Sequence, residues 1–539
     1  MKTRIAIIFL SFSLFFAGSL AAVTPGVSAT RIDEINILTT TESYDPILYE
    51  AGHLIAQSWR ELGFEVSVRT RDLMPHIQIF YDEQDFDVAI LLWTGRVDRL
   101  DPHFFLSTLS SEQTGLGENN PGGYVNLDYD TILEKQQKEF DVNARRELVH
   151  EAQRIIVEDQ PLHVLYYRDQ AMVFNHETFA NYEVMAGEGL YNDWTPHSVT
   201  PLTENKVLRI GTPSEPDTLN PLDSTTASGW KLLRIVYDRL VRLTPDVEPQ
   251  PWAAEEIVAV DETTVDVTIR PNMTFHDGVP LTVEDVKFAY EYYIEQDFAY
   301  FRSFFQVIDS IEITGERTVR FNLKEPFSPF ITVTLSQIPI LPKHIWSDID
   351  NPQDLAPDQI PTVGSGPFSI ERYDRGEFIE LATFKDHFSA EDTEIEGIEF
   401  TFYADVEGLF TGLVLGEVDM PGRHIEPAHM RLARDEDHLT IITVPDFGYH
   451  KLRYNLRREP FNDVSLRRAL AYAIDKTTIT NVLLDGLGEP GSSIIAPINT
   501  FWHNSNVQKF DYDLDRAREL LAEAGYWWDA QGRINYPEN

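Results

Sequence analysis

A chain of 539 residues is longer than one ordinary hydrophobic core supports, and 42% hydrophobic with 12% aromatic residues excludes a disordered polymer. The 87 acidic against 44 basic residues leave a formal charge of −43, which disfavours nucleic acid as a partner because phosphate backbones need cations. The chain has no cysteine, so disulfides, a thiol nucleophile and cysteine metal sites are excluded.

The chain begins with Lys2 and Arg4, an apolar run from Ile5 to Val23, and the small residues Val27-Ser28-Ala29. This pattern predicts an export leader over 1–29, with a retained membrane anchor as the alternative. From Ile35 the spacing alternates strand and helix. Ile35-Asn36-Ile37-Leu38 reads as a strand. Asp45 as N-cap and Pro46 at the first helical position open a helix whose stripe is Ile47, Ala51, Leu54, Ile55 and Leu62, closed by Gly63. Phe64, Val66 and Val68 alternate as a second strand. Val88 to Trp93 is a continuous apolar run, as expected of a strand buried in a parallel sheet. Helical patterns follow at 129–138 and 143–158, with Leu148, Ala152, Ile155 and Ile156 on one face, then a strand at 162–167. Pro196 to Asn205 reads as a linker. A new start comes at Val207-Leu208-Arg209-Ile210-Gly211. Thr264 to Ile269 is a strand, and Thr282 with Asp285 forms an acidic capping box for the next helix. Asp463 and Asp513 cap the last two helices, the second closed by Gly525.

Four stretches resemble the peptide/nickel solute-binding proteins of ABC importers, family 5 of the extracytoplasmic solute-binding proteins. They are Leu208-Arg209-Ile210-Gly211 to Leu219-Asn220-Pro221; Phe275-His276-Asp277-Gly278 running to Val286; Gly364-Ser365-Gly366-Pro367-Phe368; and Pro460-Phe461-Asn462-Asp463-Val464 running to Asp475. They stand in family order over 207–539. Residues 31–195 resemble the family's C-terminal portion instead, through Phe86-Asp87-Val88-Ala89-Ile90, Trp93-Thr94, Asp101-Pro102, Asn126 to Asp130, and Ala152 to Ile156 before Gln160-Pro161-Leu162. The resemblance therefore implies a two-lobed α/β, periplasmic-binding-protein-like fold of the large cluster, with an extra subdomain, in circularly permuted order. One lobe is expected to combine 30–165 with 457–539 and the other to span 166–456. Residues near Arg31 are then expected beside residues near Asn539. Permutation is tolerated where chain ends lie close together at a surface.

The resemblance also implies capture of a small-molecule ligand, a peptide or another polar solute, and delivery to an ABC permease by an exported, monomeric protein without cofactor. Trp93, Thr94, Arg96 and Asp98 lie just past a buried strand, where ligands of α/β folds bind. The family's peptide binders place an aspartate soon after this tryptophan. Arg96 stands at that spacing here and can fork onto a carboxylate. On the facing lobe, Glu215, Thr225, Thr226, Ser228 and Trp230 offer a carboxylate, hydroxyls and an indole, and Tyr449 precedes the hinge. A surface arginine, an ordinary turn and core aromatics are the plainer readings of these residues.

Other chemistry finds no support in the sequence. Gly486-Leu487-Gly488-Glu489-Pro490-Gly491 matches a dinucleotide fingerprint in letters, but follows a helix and contains proline. His150-Glu151 lacks the second histidine of a zinc-protease helix, and no G-x-S-x-G elbow occurs. Peptide capture is thus the first expectation. Oligosaccharide capture on the same fold is the second, and a secreted hydrolase is disfavoured.

Overall fold

Acid-capped helix starts and close-packed parallel strands frame the computed structural model, which describes residues 31–538 apart from 96–98, 225 and 298–301. Strand β1 (Ile35–Thr40) lies parallel between β2 (Val66–Arg71) and β3 (Val88–Trp93), with Ile35 opposite Val66 and Ile37 opposite Val88. Helix α1 (Pro46–Glu61) crosses from β1 to β2. Its N-cap Asp45 accepts the backbone N–H groups of Ile47 and Leu48 at 2.9 and 3.0 Å. The buried face is Leu48, Ala51, Gly52, Ile55, Ala56 and Trp59, one position round from the expected stripe, so Ile47 and Leu54 are only half-buried. Small residues explain the rotation. A Cβ on Gly52 would lie 3.2 Å from the Thr39 methyl, so the helix rests directly on β1.

After α2 (Pro102–Ser107), α3 (Leu127–Lys138) and α4 (Val142–Asp159), strand β4 (Leu162–Asn175) is twice the expected length. It belongs to two neighbourhoods. Its first half pairs with the strand at 449–454, and its second half with the strand at 439–445. The expected linker at 196–205 is more ordered than its composition suggests. Thr195–Ser198 is a short helix with Thr195, Pro196 and His197 buried, and Thr200–Pro201 pairs with Phe179–Ala180. Only 202–206 run exposed to the next strand.

The next sheets begin at β5 (Val207–Thr212), followed by α5 (Ala227–Val236). Strands β6 (Ala254–Asp261), β7 (Thr264–Ile269), β8 (Ile308–Ile313) and β9 (Thr318–Leu323) make an antiparallel sheet in the order β6-β7-β9-β8, with α6 (Val283–Gln296) packed against β8 and β9. The capping box at Thr282 and Asp285 is formed. Strands β10 (Phe368–Asp374), β11 (Phe378–Thr383), β12 (Gly397–Phe402) and β13 (Met420–Pro421) join β5 in a second sheet, ordered β10-β11-β12-β5-β13. One large apolar core serves both, including Ile210, Leu233, Val267, Tyr290, Phe321 and Trp346.

Strand β14 (Leu439–Pro445) then leads into β15 (Tyr449–Tyr454), which enters the first sheet between β4 and β3, giving the order β14-β4-β15-β3-β1-β2. Helices α7 (Val464–Tyr472) and α8 (Leu514–Glu523) close the chain, capped by Asp463 and Asp513 as expected. Both cover the sheet built by the first segment. A single core contains Ile37, Ile55 and Trp59 together with Leu466, Leu470, Leu521 and Ile534. Trp59 Nε1 donates to Leu470 O at 3.3 Å, and Trp528 Nε1 to Leu62 O at 2.6 Å. Arg31 bridges Asn535 across the edge of the 534–535 strand. The described chain thus begins and ends on the same side of one lobe. Among the described residues no helix is long and apolar enough to cross a membrane.

Candidate functional site

The end of β3 and the start of β15 meet in a narrow corner. Trp93 pairs with Tyr449 across the sheet. Beyond the pair, Gly95 and Gly448 let two backbones touch. A Cβ on Gly95 would fall on the Asp446 carboxylate, and one on Gly448 on the carbonyl oxygen of Trp93. Asp446 clasps this corner. Its Oδ1 accepts the Gly448 N–H at 2.9 Å, it also bonds Gly95 N–H and the Gln170 side chain, and its own N–H donates to Arg168 O at 3.0 Å. Burial raises the Asp446 carboxyl above its ordinary value, against the pull of these donors. The corner is where β4 and 445–449 run side by side.

Around it stands an aromatic wall. Trp93 meets Phe104 edge-on at 5.5 Å, and Phe105 meets Tyr449 at 5.2 Å. Arg99 lies over the rings of both Trp93 and Phe104 at 5.1 Å and donates to Thr94 O and Oγ1 at 2.8 and 2.9 Å. On the same face of β15, Lys451 places its Nζ 4.7 Å from the centre of Trp93. Arg453 follows two residues on, donating to Asn120. Burial lowers Arg453 to about 10.

Apolar side chains from both sides of the crossings close over the corner: Leu100, Phe447 and Ile498 with Met185, Trp194 and Leu243. At a second rim, Lys138 on α3 pairs with Glu325 at 3.1 Å, and the Thr332 hydroxyl donates to Asp101 at 3.3 Å. Asp101 is itself held by a buried bidentate pair with Arg145, 2.6 Å at the closer contact.

The expected site residues divide into groups. Trp93, Thr94 and Tyr449 come together at the corner, with Tyr449 fully buried in the core beside Phe105. Arg96 and Asp98, and Thr225 on the other lobe, lie outside the described residues. Glu215 is engaged within its own lobe, accepting from the Tyr373 hydroxyl and from Gly376 N–H. Thr226 caps α5, accepting from Gly229 N–H at 3.3 Å and donating to Asp217 at 2.8 Å. Ser228 donates to Glu215 O at 3.2 Å. Trp230 belongs to the large core. Sequence reasoning missed Arg99, Asp446 and Lys451. The signal for Lys451 was present: lysine and arginine two apart inside a strand bounded by Tyr449 and Tyr454. Among the described residues no three histidine, aspartate or glutamate side chains come together as metal ligands.

Residues 248–538 match the family model described as bacterial extracellular solute-binding proteins, family 5, middle. The chain is similar to the oligopeptide-binding protein AppA of Bacillus subtilis, 28% identical over 331 residues that make up 60% of each chain. It is similar to the dipeptide-binding protein of Escherichia coli, 24% identical over 359 residues, 61% of this chain and 65% of that one. The chain thus spans about 60% of the length of the curated relatives it matches. Among solved structures it resembles the ABC transporter substrate-binding protein CtaP of Listeria monocytogenes, with a TM-score of 0.53 and 26% identity over 60% of this chain and 66% of that one. The fold is also that of NikZ of Campylobacter jejuni, solved with Ni(L-His), with a TM-score of 0.50 and 22% identity over 62% and 66% of the two chains.

Proposed function

The chain belongs to family 5 of the bacterial extracellular solute-binding proteins, and we propose that it captures a peptide between its two lobes and hands it to an ABC permease. The observation that carries this reading is the family match over 248–538, joined to relatives named for binding oligopeptides and dipeptides. The corner at Trp93 supports it physically. A strand end lined by aromatic rings and fixed backbone turns offers apolar surface and directed polar groups together. Drawing the lobes together removes water and strengthens each polar contact.

In this reading the protein works outside the cytoplasmic membrane as a monomer, exported or tethered by residues 1–29, and changes no bond in its ligand. The lobes comprise 30–165 with the C-terminal part, and the stretch between. We set the second crossing at 445–449, ahead of the boundary after 456 expected from the sequence, because Tyr449–Tyr454 already pairs with β3. We further propose that the order of the two portions is a circular permutation of the family's. The shared core of Ile37 and Trp59 with Leu470 and Leu521 supports it, as does the Arg31–Asn535 bridge.

The test is a thermal-shift screen of the full chain against peptides of two to nine residues and against oligosaccharides. Peptides are expected to raise the Tm by mass action, about 2.7 kcal/mol of added stability at a hundredfold excess over Kd. A response to sugars alone would replace the peptide reading.

A further inference from the structure

Strand β15 buries a lysine that folding alone gives no reason to keep. Lys451 sits opposite Leu91, two pairs in from the Trp93–Tyr449 corner, and is 4% exposed. Its Nζ lies 4.7 Å from the centre of the Trp93 ring and 5.3 Å from that of Tyr449. Among the described residues neither a hydrogen bond nor an ion pair reaches this ammonium, and the charges near it, Arg453 and Arg99, are both positive. Burial, then those two cations, hold its pKa well below the ordinary lysine value.

The neighbouring groups are donors too. Trp93 Nε1 is buried without an acceptor, and so is Arg453 Nε. Ring faces attract the ammonium, but they do not satisfy its three N–H groups in the directional way an oxygen does. A buried charge left unpaired is costly, and an apolar side chain of similar volume would pack here without that cost. Among the described residues Lys451 Nζ and Trp93 Nε1 stand side by side at this corner with no acceptor, and an oxygen from outside would satisfy both.

We propose that Lys451 anchors a carboxylate of the solute at the end of β3, with Trp93 Nε1 beside it. The solute class becomes peptides bearing an accessible carboxylate, at the C-terminus or on an acidic side chain. This rests on the peptide-capture reading.

The experiment is titration calorimetry of the full chain with tri- to pentapeptides in four matched forms: C-terminal acid or amide, each with glutamate or glutamine. Wild-type protein is expected to prefer one carboxylate over its neutral counterpart by roughly 10- to 100-fold, and the form preferred identifies the source. Lys451→Met is expected to erase that preference, and Lys451→Arg to keep part of it. Binding of all four forms with equal affinity by the wild type overturns the assignment without recourse to a variant. So does a preference unchanged in Lys451→Met. Absence of binding to every form overturns the peptide reading, and this assignment with it.

Discussion

Asp193 gathers buried arginines in the second lobe. Arg234 donates to its Oδ2 through two nitrogens, at 2.9 and 2.5 Å, and Arg242 donates to its backbone oxygen while lying 4.0 Å over Trp194 and 4.4 Å over Trp252. Burial pushes the Asp193 carboxyl up, but Arg234, Arg242 and Arg239 prevail and hold it below its ordinary value. Asp193→Ala leaves these guanidinium groups uncompensated and is expected to cost about 3–5 kcal/mol, read by urea denaturation. A loss under 1 kcal/mol would show that Asp193 is dispensable. The histidines set the pH response. His450, stacked on Tyr166 at 4.2 Å, is pushed down by burial to about 3, and His103 to about 4. Their unfolded forms titrate near 6.5, so the unfolded chain binds more protons than the folded one below that pH. Stability is therefore full above about pH 6.5 and declines as pH falls toward 4. The Tm is expected to drop between pH 7 and pH 5, with a shallower slope in His450→Asn. An equal slope in that variant would assign the acid response elsewhere.

At the scale of elements, the last short hairpin does more than its length suggests. Trp527–Trp528 pairs with Ile534–Asn535, Trp528 donates to Leu62 O, and Ile534 N–H donates to Gly63 O at 3.1 Å. This hairpin covers the end of α1, whose last residues lie far away in sequence. Trp528→Ala is expected to cost about 2–3 kcal/mol, with faster hydrogen exchange confined first to α1 and α8. Exchange that accelerates in α8 alone would separate α1 from the hairpin. Helix starts such as Asp45-Pro46 and Thr282 with Asp285 were legible because capping is a local device. The alternation of Thr264–Ile269 was legible because a half-buried strand has a period of two. Less was visible where tertiary packing decides. The stripe of α1 turned by one position because Ala51, Gly52 and Ala56 fit against β1. The linker at 196–205 gained structure because Phe179–Ala180 pairs with it. Strand β4 ran on because β14 receives its second half. At the candidate site, the strand ending at Trp93 was legible from its continuous apolar run. Asp446 was not, since one buried carboxylate looks like any of the 87 acidic residues.

At the scale of the molecule, Arg31 pairs with Asn535 near the two ends of the described residues, and this makes the permutation testable by relinking. A chain rebuilt as 207–539 followed by 31–206 through a short linker is expected to fold with a Tm within about 5 °C of the parent, since closure cost varies slowly with loop length. Failure of the rebuilt chain to fold would set the present order apart as a requirement of the fold. The central claim is capture without chemistry, and one measurement reaches it most directly. The full chain is titrated by calorimetry with the peptide that stabilises it best, and the ligand is recovered and weighed by mass spectrometry. One peptide per chain, returned with its mass unchanged, is the expected result. Peptide consumed in excess of the protein, or recovered with an altered mass, contradicts the account.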